Sequence, residues 1–307
     1  MSQPPTLPLN PDHVTLQFSR RSPLDEAQFL YGEVTQRMLQ RLSYIRLQPT
    51  ALLDAGCGAA HALEPLRSRY PEVDYIGLDA SAALLQMATE RYSAKPSLWQ
   101  KLRNKPTRAV RFLRADMADS GLPPESLDLV WSNMALHWHP QPHRVLAEWR
   151  RTLKTGGLAM FSCLGPGSLR ELRDALQSAG LDTVTPSFVD MHDFGDLLIE
   201  HGFADPVMDQ EILTLTYRNA DKLLADLRAL GGNPALGRKP GLASRAWRDR
   251  LCEALEKQRH QDGTIHLSLE IAYGHAWRGA IDRSVPGETR VSVASIVRKR
   301  KSDPTQS

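Results

Sequence analysis

Cysteine is scarce in this sequence: three among 307 residues, Cys57, Cys163 and Cys252, an odd number without metal-ligand spacing. A disulfide framework and a zinc ribbon are thereby excluded, and free thiols in a reducing compartment are expected. Long apolar runs are missing too. No stretch of about 18 apolar residues occurs, and the opening "MSQPPTLPLNPDHVTLQFSR" lacks the charged start and apolar run of an export signal. The sequence therefore predicts a soluble, unexported, cytoplasmic protein with no membrane span. Acids are absent from residues 95–114, "KPSLWQKLRNKPTRAVRFLR", which carry seven Lys or Arg, and a second basic cluster lies in "VRKRKSDPTQS". The aromatics beside the first cluster are Trp99 and Phe112, too few for a stacking platform. That argues against nucleic acid and leaves an acidic protein, or plain solvation, as what these charges meet.

What is present suffices for a full core: 41% hydrophobic and 24% charged residues need no staple of disulfide or metal. Residues 1–17 are proline-rich and polar and read as a disordered tail. A helix is expected over residues 25–44, with Phe29, Val34, Met38 and Leu42 on its apolar side. Strands then alternate with helices: strands at 51–56, 73–80, 109–116, 127–133 and 158–164, with helices near 61–70, 82–93, 142–153 and 168–180. This is the pattern of a doubly wound parallel α/β sheet. Later come a helix at 191–203, a strand at 206–217, two helices within 219–260 and a closing strand at 265–278. The domain is expected over 18–297, its first half (48–163) binding a cofactor, its second (164–297) facing the substrate, and 298–307 forming a basic tail.

A glycine is also missing. In "LLDAGCGAAHALEPL", residues 52–66, a buried strand runs into a glycine turn, but the third glycine of a dinucleotide fingerprint is replaced by His61. What remains is Gly56 and Gly58 behind Asp54, a turn suited to a ligand with a cationic amino-acid end rather than a pyrophosphate. "LLDAGCG", "GLDAS", "RADM" and "LDLVWSN", in that order and spacing, resemble the successive motifs of class I S-adenosylmethionine-dependent methyltransferases. The resemblance implies a seven-stranded Rossmann-like sheet with an N-terminal helix and a helical insertion before the last strand. It also implies S-adenosyl-L-methionine as cofactor. Gly56 and Gly58 permit close backbone approach to its methionine part, and Asp54 is placed to orient the ammonium. Asp79, about 20 residues past the turn, suits the ribose hydroxyls. Asp116 suits the adenine amino group, with Ala80 and Met117 as apolar faces, and Asn133, Ala135, Leu136 and His137 are expected on the methyl-donor side. The departure from the family is Ala59–Ala60, where a Thr-Gly or Pro-Gly pair is usual.

Two longer segments narrow the resemblance. "LDLVWSNMALHWHPQPHRVLAEWRRTLKTGG" and "FSCLGPGSLRELRDAL", with "LLADLRALGG" and "LSLEIAYGHAW", are similar to the BioC family of malonyl-acyl carrier protein O-methyltransferases of biotin synthesis. The family methylates the free carboxylate of a malonyl thioester on acyl carrier protein, an acidic partner that the basic residues Lys101, Arg103, Lys105 and Arg108 would meet. His137 is then placed to contact the acceptor carboxylate. An arginine should grip it, with Arg20, Arg21, Arg170 and Arg173 as candidates and the loop 165–168 at the mouth. "FLYGEVTQRMLQRLSYI" and "SNMALHWH" resemble equally a methyltransferase-like assembly factor of respiratory complex I that hydroxylates an arginine. A non-catalytic S-adenosylmethionine-binding protein is the third reading. The cluster His137, His139 and His143 has no Cys, Asp or Glu at ligand spacing nearby, so no metal is expected.

Overall fold

The computed structural model describes residues 6–20, 27–92, 109–238, 241 and 243–279. Arg21, Lys101, Arg103, Lys105, Arg108 and the basic cluster at 298–301 lie outside the described residues.

Seven strands form one sheet: β1 (Ala51–Ala55), β2 (Asp74–Asp79), β3 (Val110–Arg114), β4 (Leu127–Ser132), β5 (Leu153–Leu164), β6 (Phe203–Tyr217) and β7 (Ile265–Arg278), in the order β3-β2-β1-β4-β5-β7-β6. The first five pair in parallel, and β7 lies antiparallel to both β5 and β6, so it alone runs against the rest. The fold is thus doubly wound as expected, but not wholly parallel. The reversal follows from the chain's path. β6 delivers it to the carboxyl end of the sheet, where α8 (Ala220–Ala229) and α9 (Arg245–Glu256) intervene, and β7 returns from that end.

β1 is buried on both faces, as its apolar residues Leu52, Leu53 and Ala55 dictate, with the buried Asp54 among them. Leu52 packs with Tyr75, Leu129 and Trp131 on one side, whereas Leu53 packs with Ile76, Val130 and Phe161 on the other. The first layer is covered by α2 (Gln28–Ser43), α3 (Leu63–Arg69), α6 (Arg170–Ser178), α8 and α9. α5 (Pro142–Thr152) and α7 (Met191–Glu200) cover the second, where Trp149 meets Phe161 and Phe161 meets Phe194. The remaining helix of the first half is α4 (Ala82–Tyr92), between β2 and β3.

Two expectations change. Residues 6–17 are not a disordered tail: α1 (Pro11–Ser19) is a helix with Pro at its start and Asn10 as its cap, accepting from the His13 N–H at 2.9 Å. Leu7 and Leu9 ahead of it are buried, and the Leu7 N–H donates to the Pro140 carbonyl at 2.8 Å. Pro11, one of the prolines that suggested disorder, opens this helix instead. On α2 the buried side is Leu30, Val34, Met38 and Leu42, while Phe29 is 45% exposed. Leu30 stands four residues before Val34 and shares its face; Phe29 stands five before and does not. No described helix is long and apolar enough to cross a membrane.

Candidate active site

The strand order reverses between β1 and β4, because β1 leads outward to β2 and β3 whereas β4 leads the other way to β5. In such sheets the crevice opens beyond the carboxyl ends at that switch point. A cavity of about 550 Å³ lies there. Asp54, Gly56, Gly58, Asp79, Ala80, Asp116, Met117 and Asn133 all line it, so the residues expected to hold the cofactor are brought together from the ends of four neighbouring strands.

The glycine turn is built by sterics. Gly56 has φ +77°, and a Cβ there would stand 2.3 Å from the Ala135 Cβ. Its N–H and that of Cys57 both donate to the Leu78 carbonyl, tying the turn to β2. Gly58 has φ +54° and donates its N–H to Asp79 Oδ2 at 2.9 Å. Ala60, fully buried, is left-handed at φ +57°, the conformation for which the usual family glycine is suited.

The acids differ in their surroundings. Asp54 is 2% exposed and accepts the Tyr75 hydroxyl at 2.5 Å. Burial pushes its carboxyl up to about 7, against the Tyr75 bond and helped by the charge of Asp79. Burial raises Asp79 too, against N–H donation from Ser81, Gly58 and Ala80. Asp116 instead is lowered, chiefly by a hydrogen bond from His139. Among the described residues no lysine or arginine pairs with Asp54 or Asp79. A buried and a half-buried acid without a cation among the described residues suit a ligand that brings an ammonium and hydroxyl donors, and Met117, Ala80 and Leu84 offer apolar surface beside them.

Asn133 lines the cavity, but its amide is already engaged. Nδ2 donates to the Tyr31 carbonyl at 2.9 Å and to Thr35 Oγ1 at 2.8 Å, and Oδ1 accepts from Ser162 Oγ at 2.9 Å. Asn133 therefore fixes α2 as a wall of the cavity. From the other side α1 contributes Pro11, Val14 and Phe18, with Phe18 edge-on to Trp138 at 5.7 Å.

Of the residues expected to act on the acceptor, Arg21 lies outside the described residues and the others do not line this cavity. His137 is 1% exposed, its Nδ1 accepts the Leu164 N–H at 3.2 Å, and burial pushes it down to about 3. It packs against Phe188 and Trp138 beside a separate void of about 30 Å³, stays neutral and does not line the cavity. Leu136 is fully buried in the opposite core layer. Arg20 ends α1 and does not line the cavity; Arg170, pairing with Glu171 at 2.9 Å, and Arg173, donating to the Ser168 and Pro166 carbonyls, are also elsewhere. The loop 165–168 is closed against Glu270, which accepts the Gly167 N–H at 3.1 Å, and lies outside the lining. Sequence reasoning missed His139 and Arg144, which do line the cavity. The "HWHPQPHR" stretch held the signal, in that His137 and His139 face opposite ways. No group of three metal-ligating side chains occurs among the described residues.

Residues 53–161 match the methyltransferase domain family. The malonyl-acyl carrier protein O-methyltransferase of Gallionella capsiferriformans is 43% identical over 83% of this chain and 86% of its own length, and that of Laribacter hongkongensis is 42% identical over 83% and 85%. The chain belongs to this family. Its fold is also that of the YcgJ protein of Bacillus subtilis, with a TM-score of 0.54 at 16% identity, covering 80% of this chain and 99% of that one. The BioC resemblance of the sequence is thus borne out, and the three acids at the ends of β1, β2 and β3 lie within or beside the matched domain.

Proposed function

We propose that the protein transfers the methyl group of S-adenosylmethionine to the free carboxylate of a malonyl group on acyl carrier protein. The observation that carries this is the 43% identity, over most of both chains, to an enzyme of that name, joined to a cavity whose walls fit the cofactor. Asp54 would take the ammonium, the turn at Gly56 and Gly58 the methionine backbone, Asp79 the ribose hydroxyls, and Asp116 the adenine amine, with Ala80 and Met117 against the ring. When bound, the cofactor supplies a methyl group on a sulfonium centre.

The acceptor needs no general base, since a carboxylate is already ionised near neutral pH. The work left to the chain is to hold the acceptor oxygen in line with the methyl and keep water out. Phe18 from α1, Tyr31 from α2 and Trp138 give that side of the cavity apolar surface, beside the polar Thr15, Gln28 and Thr35. His137 takes no part. Free cysteines and the carrier-protein substrate support a cytoplasmic setting.

The test is intact-mass analysis of malonyl-acyl carrier protein incubated with the enzyme and S-adenosylmethionine. A carrier heavier by one methylene, with equimolar demethylated cofactor, is expected. Rescue of a biotin-requiring strain lacking its malonyl methyltransferase should accompany it. An unmodified carrier alongside an arginine-containing peptide gaining one oxygen would support the hydroxylase instead, and no product from either would support a binding protein.

A further inference from the structure

Asp116 lies beyond β3 at the mouth end of the cavity, its side chain 60% exposed. A carboxylate so open to water rotates freely unless something holds it. Two donors meet at one of its oxygens: Oδ1 accepts the Ala118 N–H at 2.7 Å and faces His139 Nε2 at 3.0 Å. The histidine's other nitrogen decides its tautomer. Nδ1 lies 3.1 Å from the Gln141 N–H and must accept it, so in the neutral ring the proton sits on Nε2 and is donated to Asp116. The Gln141 side chain is held separately, its Oε1 accepting from Arg144 at 3.0 Å. His139 is itself confined, with 11% of its side chain exposed. The outcome is a carboxylate with Oδ1 occupied by two donors, while among the described residues no donor meets Oδ2, which is left to a ligand.

We propose that His139 is the positioning residue that makes the pocket selective for a purine bearing an amino group: by anchoring Asp116 Oδ1 it presents Oδ2 as a fixed acceptor. This rests on the reading of the cavity as an adenosyl site. An amine donates to that oxygen, whereas a carbonyl at the same ring position presents a second acceptor and is rejected. A site built to hydrogen-bond one group discriminates strongly against the analogue that cannot reciprocate. Without His139, only the Ala118 N–H holds Oδ1, the carboxylate turns more freely and the discrimination falls.

The experiment is calorimetric titration of the full chain with S-adenosylhomocysteine and with its 6-oxo counterpart, S-inosylhomocysteine. It compares wild type, His139→Ala, His139→Gln and Asp116→Ala. Wild type should prefer the amino compound, and Asp116→Ala should abolish the preference. His139→Ala should reduce it by about tenfold, most of the loss falling on the amino compound, as expected for one charge-assisted hydrogen bond. His139→Gln, whose terminal amide still reaches Asp116, should restore most of it. A His139→Ala protein that binds both compounds more weakly by the same factor, or retains the wild-type ratio, overturns the inference while leaving the adenosyl reading intact. An unchanged ratio in Asp116→Ala overturns that reading and the inference with it. Thermal unfolding of each variant shows whether it folds. If His139→Ala does not, His139→Asn, too short to reach Asp116, carries the same comparison.

Discussion

Asp54 is a carboxylic acid placed where water does not reach, and its charge is wanted only when a cation arrives. Because burial lifts it from 3.8 to about 7, the folded apo protein keeps a proton in that window that the unfolded chain has already lost. Apo stability contributed by Asp54 therefore falls as pH rises from 3.8 to about 7, while affinity for an ammonium-bearing ligand rises over the same range and levels off above it. Calorimetry in buffers of different ionisation enthalpy should detect proton release on binding S-adenosylhomocysteine near pH 6. Tyr75→Phe removes the one donor that favours the ionised form, so affinity at neutral pH should drop by roughly tenfold, and less at high pH. Asp79→Ala loses both the ribose acceptor and the brace on the Gly58 N–H; its cost of roughly 3 kcal/mol should exceed a hundredfold in affinity with the fold retained. Unchanged affinity in that variant would falsify the assignment. Asp79 and Asp116 were legible because they stand at or just past the end of a strand, and Asp54 because it precedes the glycine turn. His139 was not, since its role depends on a carboxylate 23 residues away in sequence.

At the scale of elements, the helices that close the cavity carry the instructive differences. α2 was expected with Val34, Met38 and Leu42 on its buried side, and only Phe29 departs, its place taken by Leu30: Phe29→Asp should change stability by no more than about 0.5 kcal/mol, whereas Leu30→Ala should cost about 3 kcal/mol in urea denaturation. Equal losses from the two would contradict the observed face. Asn133, just past β4, is tied to α2 by two hydrogen bonds and to Ser162 of β5 by a third, so Asn133→Ala should both destabilise the fold by about 2 kcal/mol and loosen the cavity wall. α1 escaped the sequence reading because its helical content is marginal and its order comes from distant contacts. Leu9 pairs with Ala235, the Asn10 N–H donates to the Pro234 carbonyl and Ser19 meets Ser81 Oγ at 2.8 Å, all partners far along the chain.

For the whole molecule, the expected partner is an acidic carrier, and the rate with malonyl-acyl carrier protein should fall as salt is added, with malonyl-coenzyme A the poorer but less salt-sensitive substrate. Reversing Lys101, Arg103, Lys105 and Arg108 should raise the KM for the carrier much more than that for malonyl-coenzyme A; equal effects on both would show that these charges do not dock it. Seven strands, their order of appearance, the glycine turn and the acids at three strand ends were determined by the sequence itself, because apolar runs, turn residues and strand-end carboxylates act locally or at fixed spacing. The reversal of β7, the helix in the first twenty residues, the retirement of His137 into the core and the relay from Gln141 through His139 to Asp116 were decided only by tertiary structure. Each depends on which distant groups end up in contact, and burial, not residue type, sets whether a histidine is a ligand, a prop or a positioning group.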